Sequence, residues 1–240
     1  MPSATTRYRS LRCSSTRCGL CFPVAEGSAL GDRCPACGAP TEATGEPYLT
    51  HGVRTVSDHP PGLAVGSVCG SVSGSPGGLR VEVLLDNVRS LRNVGSMFRT
   101  ADGAGVAHLH LGGITPTPEH PKLAKTSLGA ERSVPWSRAP DACAAAADLR
   151  ARGRRLWALE GGPRSTSLFD PQVATACTEL REKGQGLVLV LGHEVSGVDP
   201  RIVDQCERVL HLPMLGHKDS LNVSVTLGVA AYWLRFGSGG

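Results

Sequence analysis

Aromatic residues are scarce in this 240-residue chain, at 4% of the total. That scarcity disfavours an RNA-binding module that stacks bases on aromatic platforms. Both common nucleotide-binding loops are missing as well. No G-x-G-x-x-G follows a predicted strand, and Val198 and Asp199 stand where a phosphate loop beginning at Gly192 needs Lys and Ser or Thr. The N-terminus has no apolar signal region, and no apolar run is long enough to span a membrane. We therefore expect a soluble cytoplasmic protein.

The composition is that of a globular protein with a mild basic excess. Hydrophobic residues make up 40% of the chain, which is enough for a sizeable core. The formal net charge is +4 and the sequence pI is about 8.6, values that suit a nucleic-acid partner but do not require one. The length allows one large domain, or one domain plus a small module.

Five of the nine cysteines lie within the first 45 residues. Clustered cysteines in a cytosolic protein favour metal binding over disulfides. Cys34 and Cys37 have the spacing of a zinc knuckle, and Gly38 permits the tight turn that follows. The alternative is a disordered tail with reduced cysteines that hold no metal.

The other half of the metal site can be read in two ways. Cys18 and Cys21 have the usual spacing, but Gly19 follows Cys18 as Gly38 follows Cys37, so we favour Cys13 and Cys18, with Cys21 as the alternative. So small a unit needs its metal to fold. We predict a zinc ribbon over residues 1–45 and a flexible linker over residues 46–78, with a structural Zn²⁺ held by Cys13, Cys18, Cys34 and Cys37.

From residue 79 to residue 240 the pattern is that of an α/β domain. Leu187–Leu191 is an unbroken apolar run, typical of a strand buried on both faces. About five such strands alternate with helical segments, which predicts a mostly parallel sheet with helices on both faces. Ligands of such sheets bind at the carboxyl ends of the strands.

Three short motifs follow predicted strands of this domain. They are Asn93-x-Gly95-x3-Arg99, Gly192-x-Glu194-x2-Gly197 and Leu212-Pro213-Met214-x-Gly216-x3-Ser220-Leu221-Asn222. Asn93 and Gly95 are turn residues that can lead into a helix, and Ser220 is predicted to cap the C-terminal helix. Each motif alone has an ordinary structural explanation. Together, in this order and at these separations, they resemble the three motifs of SPOUT-superfamily RNA methyltransferases, and in particular the TrmH-like (SpoU) branch, which methylates ribose 2′-hydroxyls.

The resemblance implies a fold, a cofactor and a set of site residues. The fold is an α/β domain whose C-terminal part is threaded as a deep trefoil knot, and the knot holds S-adenosylmethionine (AdoMet). The implied cofactor pocket comprises Gly192, Gly197, Leu212, Met214 and Leu221. The implied catalytic and substrate-facing residues are Asn93, Arg99, Glu194, Ser220 and Asn222.

The resemblance leaves the proton acceptor open. A ribose hydroxyl is a weak acid, so its proton must be removed during methyl transfer. Arg99 is a poor base, because arginine stays protonated in proteins. We expect Arg99 to grip a phosphate and stabilise the developing alkoxide, while a phosphate oxygen or Glu194 accepts the proton.

The predicted partners are RNA, either tRNA or rRNA, and a second copy of the chain. The C-terminal helix is apolar on most sides, with one stripe formed by Leu221, Val225, Gly228 and Tyr232. The resemblance implies a homodimer through this helix, whereas the alternative is burial within one domain. Two other functions stay open at this point: a noncatalytic zinc-ribbon RNA-binding or assembly protein that retains the fold, and methylation of a base.

Overall fold

The computed structural model describes residues 6–28, 31–49 and 79–237. These ranges contain the five N-terminal cysteines and nearly all of the predicted second domain. The predicted linker over residues 46–78 lies outside the described residues from position 50 onward. The described residues form two sheets, one small and antiparallel, the other larger and parallel.

The small sheet belongs to the N-terminal module, which we call the ribbon (described residues 6–28 and 31–49). Its strands are β1 (Arg7–Cys13), β2 (Cys21–Ala25) and β3 (Thr41–Leu49), with β1 in the centre. The boundary predicted at residue 45 is too early, because β3 pairs with β1 as far as Leu49. Pro47 falls in the predicted linker, and Gly45 is the last residue of the predicted ribbon, yet both lie inside β3. The sheet accommodates them with an irregular register opposite Arg9, where Gly45 adopts a φ of 76°.

Short strands and helices alternate through the second domain. Its strands are β4 (Val81–Asp86), β5 (Leu109–Gly112), β6 (Trp136–Ala139), β7 (Arg155–Leu159), β8 (Thr166–Ser167), β9 (Leu187–Leu191) and β10 (Arg208–His211). Its α-helices are α1 (Leu91–Ala104), α2 (Ala124–Ser127), α3 (Ala142–Ala151), α4 (Pro171–Glu182), α5 (Pro200–Val203) and α6 (Val223–Tyr232). A 3₁₀ turn (Ala130–Arg132) and a π-helical turn (Trp233–Gly237) complete them.

The seven strands run parallel in the order β6-β5-β4-β9-β7-β10-β8. The predicted α/β class and parallel sheet are therefore confirmed. About five strands were expected. The additional strand β6 has Ser137 and Arg138 between Trp136 and Ala139, and β8 has only two residues, so neither contains a recognisable apolar run. The threading of the C-terminal part as a knot stays a prediction.

Helices cover both faces of the parallel sheet. Alternate residues of β4 point to opposite faces, as the two-residue period of a strand requires. Val83 and Leu85 belong to the larger core, which also includes residues of α1, α4 and α6. Leu84 belongs to the smaller core, which includes Ala146 of α3 and Ile202 of α5. All six strand residues of β4 are buried, which is why its sequence reads as apolar with two acidic exceptions.

Two helix starts differ from the prediction. Helix α1 begins at Leu91 because the Ser90 hydroxyl accepts from the backbone N–H of Asn93, so Asn93 and Gly95 lie inside the helix. Helix α6 begins at Val223 and is capped by Asn222, so the predicted cap at Ser220 is wrong. Ser220 lies two residues outside the cap position. Within the described residues, none of the helices combines the length and apolarity needed to cross a membrane.

Candidate active site

The three motifs meet at the carboxyl edge of the parallel sheet. β4, β9 and β10 all end at this edge because they run parallel. The first motif lies on α1, which follows β4 after a four-residue loop. The second follows β9 directly, and the third connects β10 to α6. Segments more than 100 residues apart in sequence are thereby brought within hydrogen-bonding distance.

Glu194 is the centre of this arrangement. Its carboxylate accepts hydrogen bonds from the backbone N–H groups of Arg89 (2.9 Å) and Ser90 (2.9 Å) and from the Asn93 side-chain amide (2.9 Å). Partial burial by itself would raise the pKa of Glu194. The three N–H donors outweigh that effect and hold the pKa below its ordinary value. Glu194 is therefore a charged anchor between two loops, and its lone pairs are largely engaged.

The chain of hydrogen bonds continues from Asn93 into the third motif. The side-chain oxygen of Asn93 (Oδ1) accepts from the side-chain amide of Asn222 at 3.1 Å. The Asn222 oxygen in turn accepts from the Ser224 N–H (2.9 Å) and hydroxyl (2.6 Å), which caps α6. Ser220 stands outside this chain, exposed, with its hydroxyl on the neighbouring Asp219. The structure therefore joins Glu194, Asn93 and Asn222 but not Ser220.

Gly192 and Gly197 close the loop that carries Glu194. The N–H of Gly197 donates to the His193 carbonyl at 2.9 Å, and the N–H of His193 donates to the Gly197 carbonyl at 3.1 Å. A Cβ at Gly192 would overlap the backbone of Gly197 and Val198. Gly197 itself has a φ of 73°, which favours glycine. A glycine is thus needed at position 192 because the backbone at the other end of its loop, at Gly197 and Val198, approaches it closely.

The pocket residues expected from the third motif lie in the segment between β10 and α6, and each is at least partly exposed. Leu212 packs against the margin of the larger core, and Met214 is half-buried. Leu221 is 42% exposed, an unusual state for a large apolar residue beside polar motifs. Backbone groups at strand ends next to apolar side chains suit a flat, hydrogen-bonding adenine and an aliphatic chain, so this set fits AdoMet.

Arg99 lies on α1, beyond Asn93. Its side chain is exposed and forms no ion pair with another described residue. Arg89, in the loop before α1, and Arg92, in the first turn of α1, are exposed as well. This end of α1 therefore offers cations to an anionic ligand.

Glu160 is a site-edge residue that the sequence reasoning missed. It follows β7, which lies between β9 and β10, and its carboxylate accepts from the Val198 N–H at 2.9 Å. The carboxylate fits because Gly197 has no side chain there. Burial raises the pKa of Glu160 to about 7, although the Val198 N–H opposes the shift. The signal that could have identified it is an acidic residue directly after a buried strand.

The ribbon brings together the four cysteines that the spacing favoured. The sulfur atoms of Cys13, Cys18, Cys34 and Cys37 lie within 4.8 Å of one another. Two of the distances are 3.4 Å and 3.7 Å. Tetrahedral zinc with Zn–S bonds of about 2.3 Å needs sulfur atoms about 3.8 Å apart, so the set fits Zn²⁺. Cys21 lies elsewhere, with its sulfur 3.6 Å from an Arg201 nitrogen.

Comparison with protein families decides what these motifs belong to. Residues 80–232 match the model of the SpoU rRNA methylase family. The chain belongs to the SpoU rRNA methylase family. The resemblance expected from the three motifs is therefore confirmed, and the match begins and ends inside the parallel-sheet domain.

Individual relatives of this SpoU-family chain have low sequence identity, and those described below are named as rRNA methyltransferases. It is 28% identical over 158 residues to the 23S rRNA (guanosine(2553)-2′-O)-methyltransferase RlmP of Bacillus subtilis, covering 65% of the chain and 58% of that protein. It is 29% identical over 155 residues to the 23S rRNA (guanosine-2′-O-)-methyltransferase RlmB of Pasteurella multocida, covering 62% of the chain and 57% of that protein. The chain thus spans less than two thirds of the length of either relative.

A solved structure supports the same relationship. An AdoMet-bound rRNA methyltransferase from Sinorhizobium meliloti superposes with a TM-score of 0.56 at 26% identity, covering 65% of this chain and 56% of that one. The shared part is again smaller than the whole relative. The N-terminal ribbon lies outside the 80–232 family match, so its role has to be argued from its own contacts.

Proposed function

We propose that this protein transfers a methyl group from AdoMet to a ribose 2′-hydroxyl of tRNA or rRNA. The observation that carries the proposal is the hydrogen-bond chain from Glu194 through Asn93 to Asn222, which unites three motifs at one sheet edge. The 2′-O-methyltransferase names of two relatives support the same reaction.

The cofactor side of the site comprises Gly192, Gly197, Leu212, Met214 and Leu221. When bound there, AdoMet would supply an electrophilic methyl group on a sulfonium. The residues present backbone hydrogen-bonding groups at the ends of β9 and β10, and they supply apolar walls. Their contribution is alignment, which is the main source of acceleration when two reactants must meet in line.

The substrate side comprises Arg99, Asn93, Asn222 and Ser220, with Glu194 beneath them. Arg99 is exposed and keeps its charge, so it can bind an RNA phosphate and stabilise the alkoxide that forms. The three N–H donors occupy most of the lone pairs of Glu194, so its carboxylate is not free to accept from a ribose hydroxyl. We therefore assign Glu194 a positioning role and the proton to a phosphate oxygen of the RNA, which Arg99 would hold beside the hydroxyl. Ser220 completes the pocket from the third motif.

A homodimer through α6 is part of the proposal. Leu227, Ala230 and Leu234 are buried within the chain. The opposite stripe is exposed, and its members recur at helical spacing: Leu221 (42%), Val225 (49%), Val229 (37%), Tyr232 (47%) and Phe236 (40%). Such a continuous apolar stripe beside the third motif fits a second copy of the chain, which would cover it and complete the open side of the site.

We assign Zn²⁺ to the four-cysteine site as a structural ion. Four thiolates leave no open coordination position for a substrate or a reactive water. The ribbon has only a small apolar core, formed around Leu20 and Phe22, so the metal has to supply much of its stability.

The test is a methyl-transfer assay with the full, zinc-loaded chain, labelled AdoMet and total RNA, followed by digestion to nucleosides. We expect label in 2′-O-methylnucleosides. Arg99→Lys keeps the charge but loses the planar fork, so its rate should fall, whereas Arg152→Lys, on the distant end of α3, should match the wild type. Label in a base would contradict ribose methylation. RNA binding without transfer of label would support the noncatalytic alternative.

A further inference from the structure

The ribbon packs on the same sheet edge that carries the candidate active site. The N–H of Cys21 donates to the Pro140 carbonyl at 3.0 Å, and Arg12 pairs with Asp141. Ile114, just after β5, packs against the small core of the ribbon. The segments that directly follow β5 and β6 therefore contact the ribbon.

A buried hydrogen bond ties the ribbon to the segment that directly follows the second motif. The hydroxyl of Ser10, in β1, donates to the Asp199 carboxylate at 2.6 Å, and both residues are buried. Arg201 binds the same carboxylate through two nitrogens at 3.0 and 2.7 Å and donates to the Thr44 hydroxyl of β3 at 2.9 Å. One carboxylate of the parallel-sheet domain is thus held, directly or through Arg201, by two strands of the ribbon.

Asp199 also contacts the end of β4, from which the chain continues towards the first motif. It lies two residues after Gly197, and its N–H donates to the Asp86 carboxylate at 2.8 Å. Asp86 is the last residue of β4, directly before the loop whose Arg89 and Ser90 N–H groups hold Glu194. The contact between Ser10 and Asp199 therefore bears on both loops that position Glu194.

The charges of the ribbon favour a positioning role over RNA binding. Arg7 and Arg9 pair with Glu26, and Arg12 pairs with Asp141. The described residues of the ribbon include five arginines and four acidic residues, Glu26, Asp32, Glu42 and Glu46. A surface that is nearly balanced in charge is a poor electrostatic footprint for a polyanion.

We propose that the metal-loaded ribbon clamps the two loops around Glu194, with Ser10, Asp199 and Arg201 as positioning residues. Because the ribbon depends on its four-cysteine site to fold, loss of metal would withdraw Ser10 and Thr44 and leave the Asp199 carboxylate under-bonded. The inference rests on the proposed function in one respect: it takes this edge to be the place where AdoMet binds.

The test compares the full-length wild type, the wild type stripped of zinc by a chelator, and Ser10→Ala. AdoMet affinity is measured by calorimetry, zinc content by atomic emission, and amide hydrogen exchange over residues 86–90 and 192–199. We expect Ser10→Ala to keep its zinc, to bind AdoMet about tenfold more weakly, as loss of a hydrogen bond to a charged group predicts, and to exchange faster in both loops. The protein stripped of zinc should lose at least as much AdoMet affinity as Ser10→Ala, and adding zinc back should restore that affinity.

The matched control is Ser14→Ala, because the Ser14 hydroxyl donates to the Pro40 carbonyl at 3.0 Å, a contact inside the ribbon. It should behave as wild type. If Ser10→Ala misfolds, Thr44→Val removes the Arg201 contact instead and should show the same change.

The outcomes of this test distinguish failure of the proposed clamp from failure of the proposed methyltransferase function. AdoMet affinity and loop exchange that are unchanged in Ser10→Ala or in stripped protein would overturn the clamp and leave the proposed function intact. A fall in RNA affinity alone would overturn it in favour of a substrate-binding ribbon. If the wild type binds no AdoMet but zinc and Ser10 still protect both loops, the clamp stands and the proposed function fails.

Discussion

The side-chain amide of Asn93 donates to the Glu194 carboxylate at 2.9 Å, although the two residues are 101 positions apart. The other side of the same amide accepts from Asn222. Asn93 is therefore the link between the second and third motifs, and its two-sided hydrogen bonding explains why an amide is suited to this position. A carboxylate has no donor for Glu194, and a hydroxyl is too short to serve both neighbours.

Asn93→Asp should reduce methyl transfer by about 10- to 100-fold, because it removes a hydrogen bond to a charged group and places two carboxylates in contact. Asn222→Asp is the matched comparison: it keeps the oxygen that caps α6 and sets a carboxylate oxygen against the neutral side-chain oxygen of Asn93, which is less repulsive than two carboxylates in contact. Its effect should be smaller. Rates measured under single-turnover conditions check the ranking, and equal rates for both variants would contradict the central role of Asn93.

Glu160→Gln should change how stability depends on pH. Burial raises the pKa of Glu160 from 4.5 to about 7, so the folded state keeps a proton that the unfolded chain releases near its ordinary pKa. Wild-type stability contributed by this group is thus present below pH 4.5 and is lost as pH rises towards 7. Gln does not titrate and keeps an acceptor for Val198. Between pH 5 and pH 8 the free energy of unfolding of the variant, relative to that of the wild type, should rise by on the order of 2 kcal/mol. Urea unfolding at both pH values checks this, and a difference that does not vary with pH would refute it.

Gly95→Ala should destabilise the protein even though alanine is the better helix former. A Cβ at Gly95 would overlap the Thr126 side chain, where α2 packs on α1. Overpacking of this kind costs about 1–3 kcal/mol, more than the roughly 1 kcal/mol that alanine gains in a helix. Gly161→Ala is the control, since an added methyl there meets open space and Gly161 lies outside the apolar stripe of α6. The thermal unfolding midpoint should fall for Gly95→Ala and stay unchanged for Gly161→Ala.

Val225→Asp should convert a dimer into a monomer. Val225 is 49% exposed in the middle of the apolar stripe on α6, and a charge buried at an interface has no partner there. Leu49→Asp, which changes an equally exposed residue of the ribbon, should leave the dimer intact. Light scattering at micromolar concentration measures both masses. A wild type that is already monomeric, or a Val225→Asp variant that stays dimeric, would exclude this interface.

The amino-acid sequence alone determined the features that depend on local pattern. The unbroken apolar run at β9 was predicted with the same bounds that the structure has, because a strand buried on both faces needs apolar residues at every position. The three motifs led to the SpoU family because their residue types, order and separations together are specific, although each motif alone is not. The cysteine spacing pointed to the four residues that the structure brings together.

Only the tertiary structure decided which distant residues meet. Gly95 looked like a turn residue, but its neighbour Thr126 explains why no side chain fits there. Ser220 looked like a helix cap, yet Asn222 fills that place because it also reaches Asn93. Ser10 and Asp199 are 189 positions apart, and no local pattern relates them. Periodicity and spacing report what each segment buries, whereas the order of parallel strands decides which loops share an edge and therefore which side chains form the site.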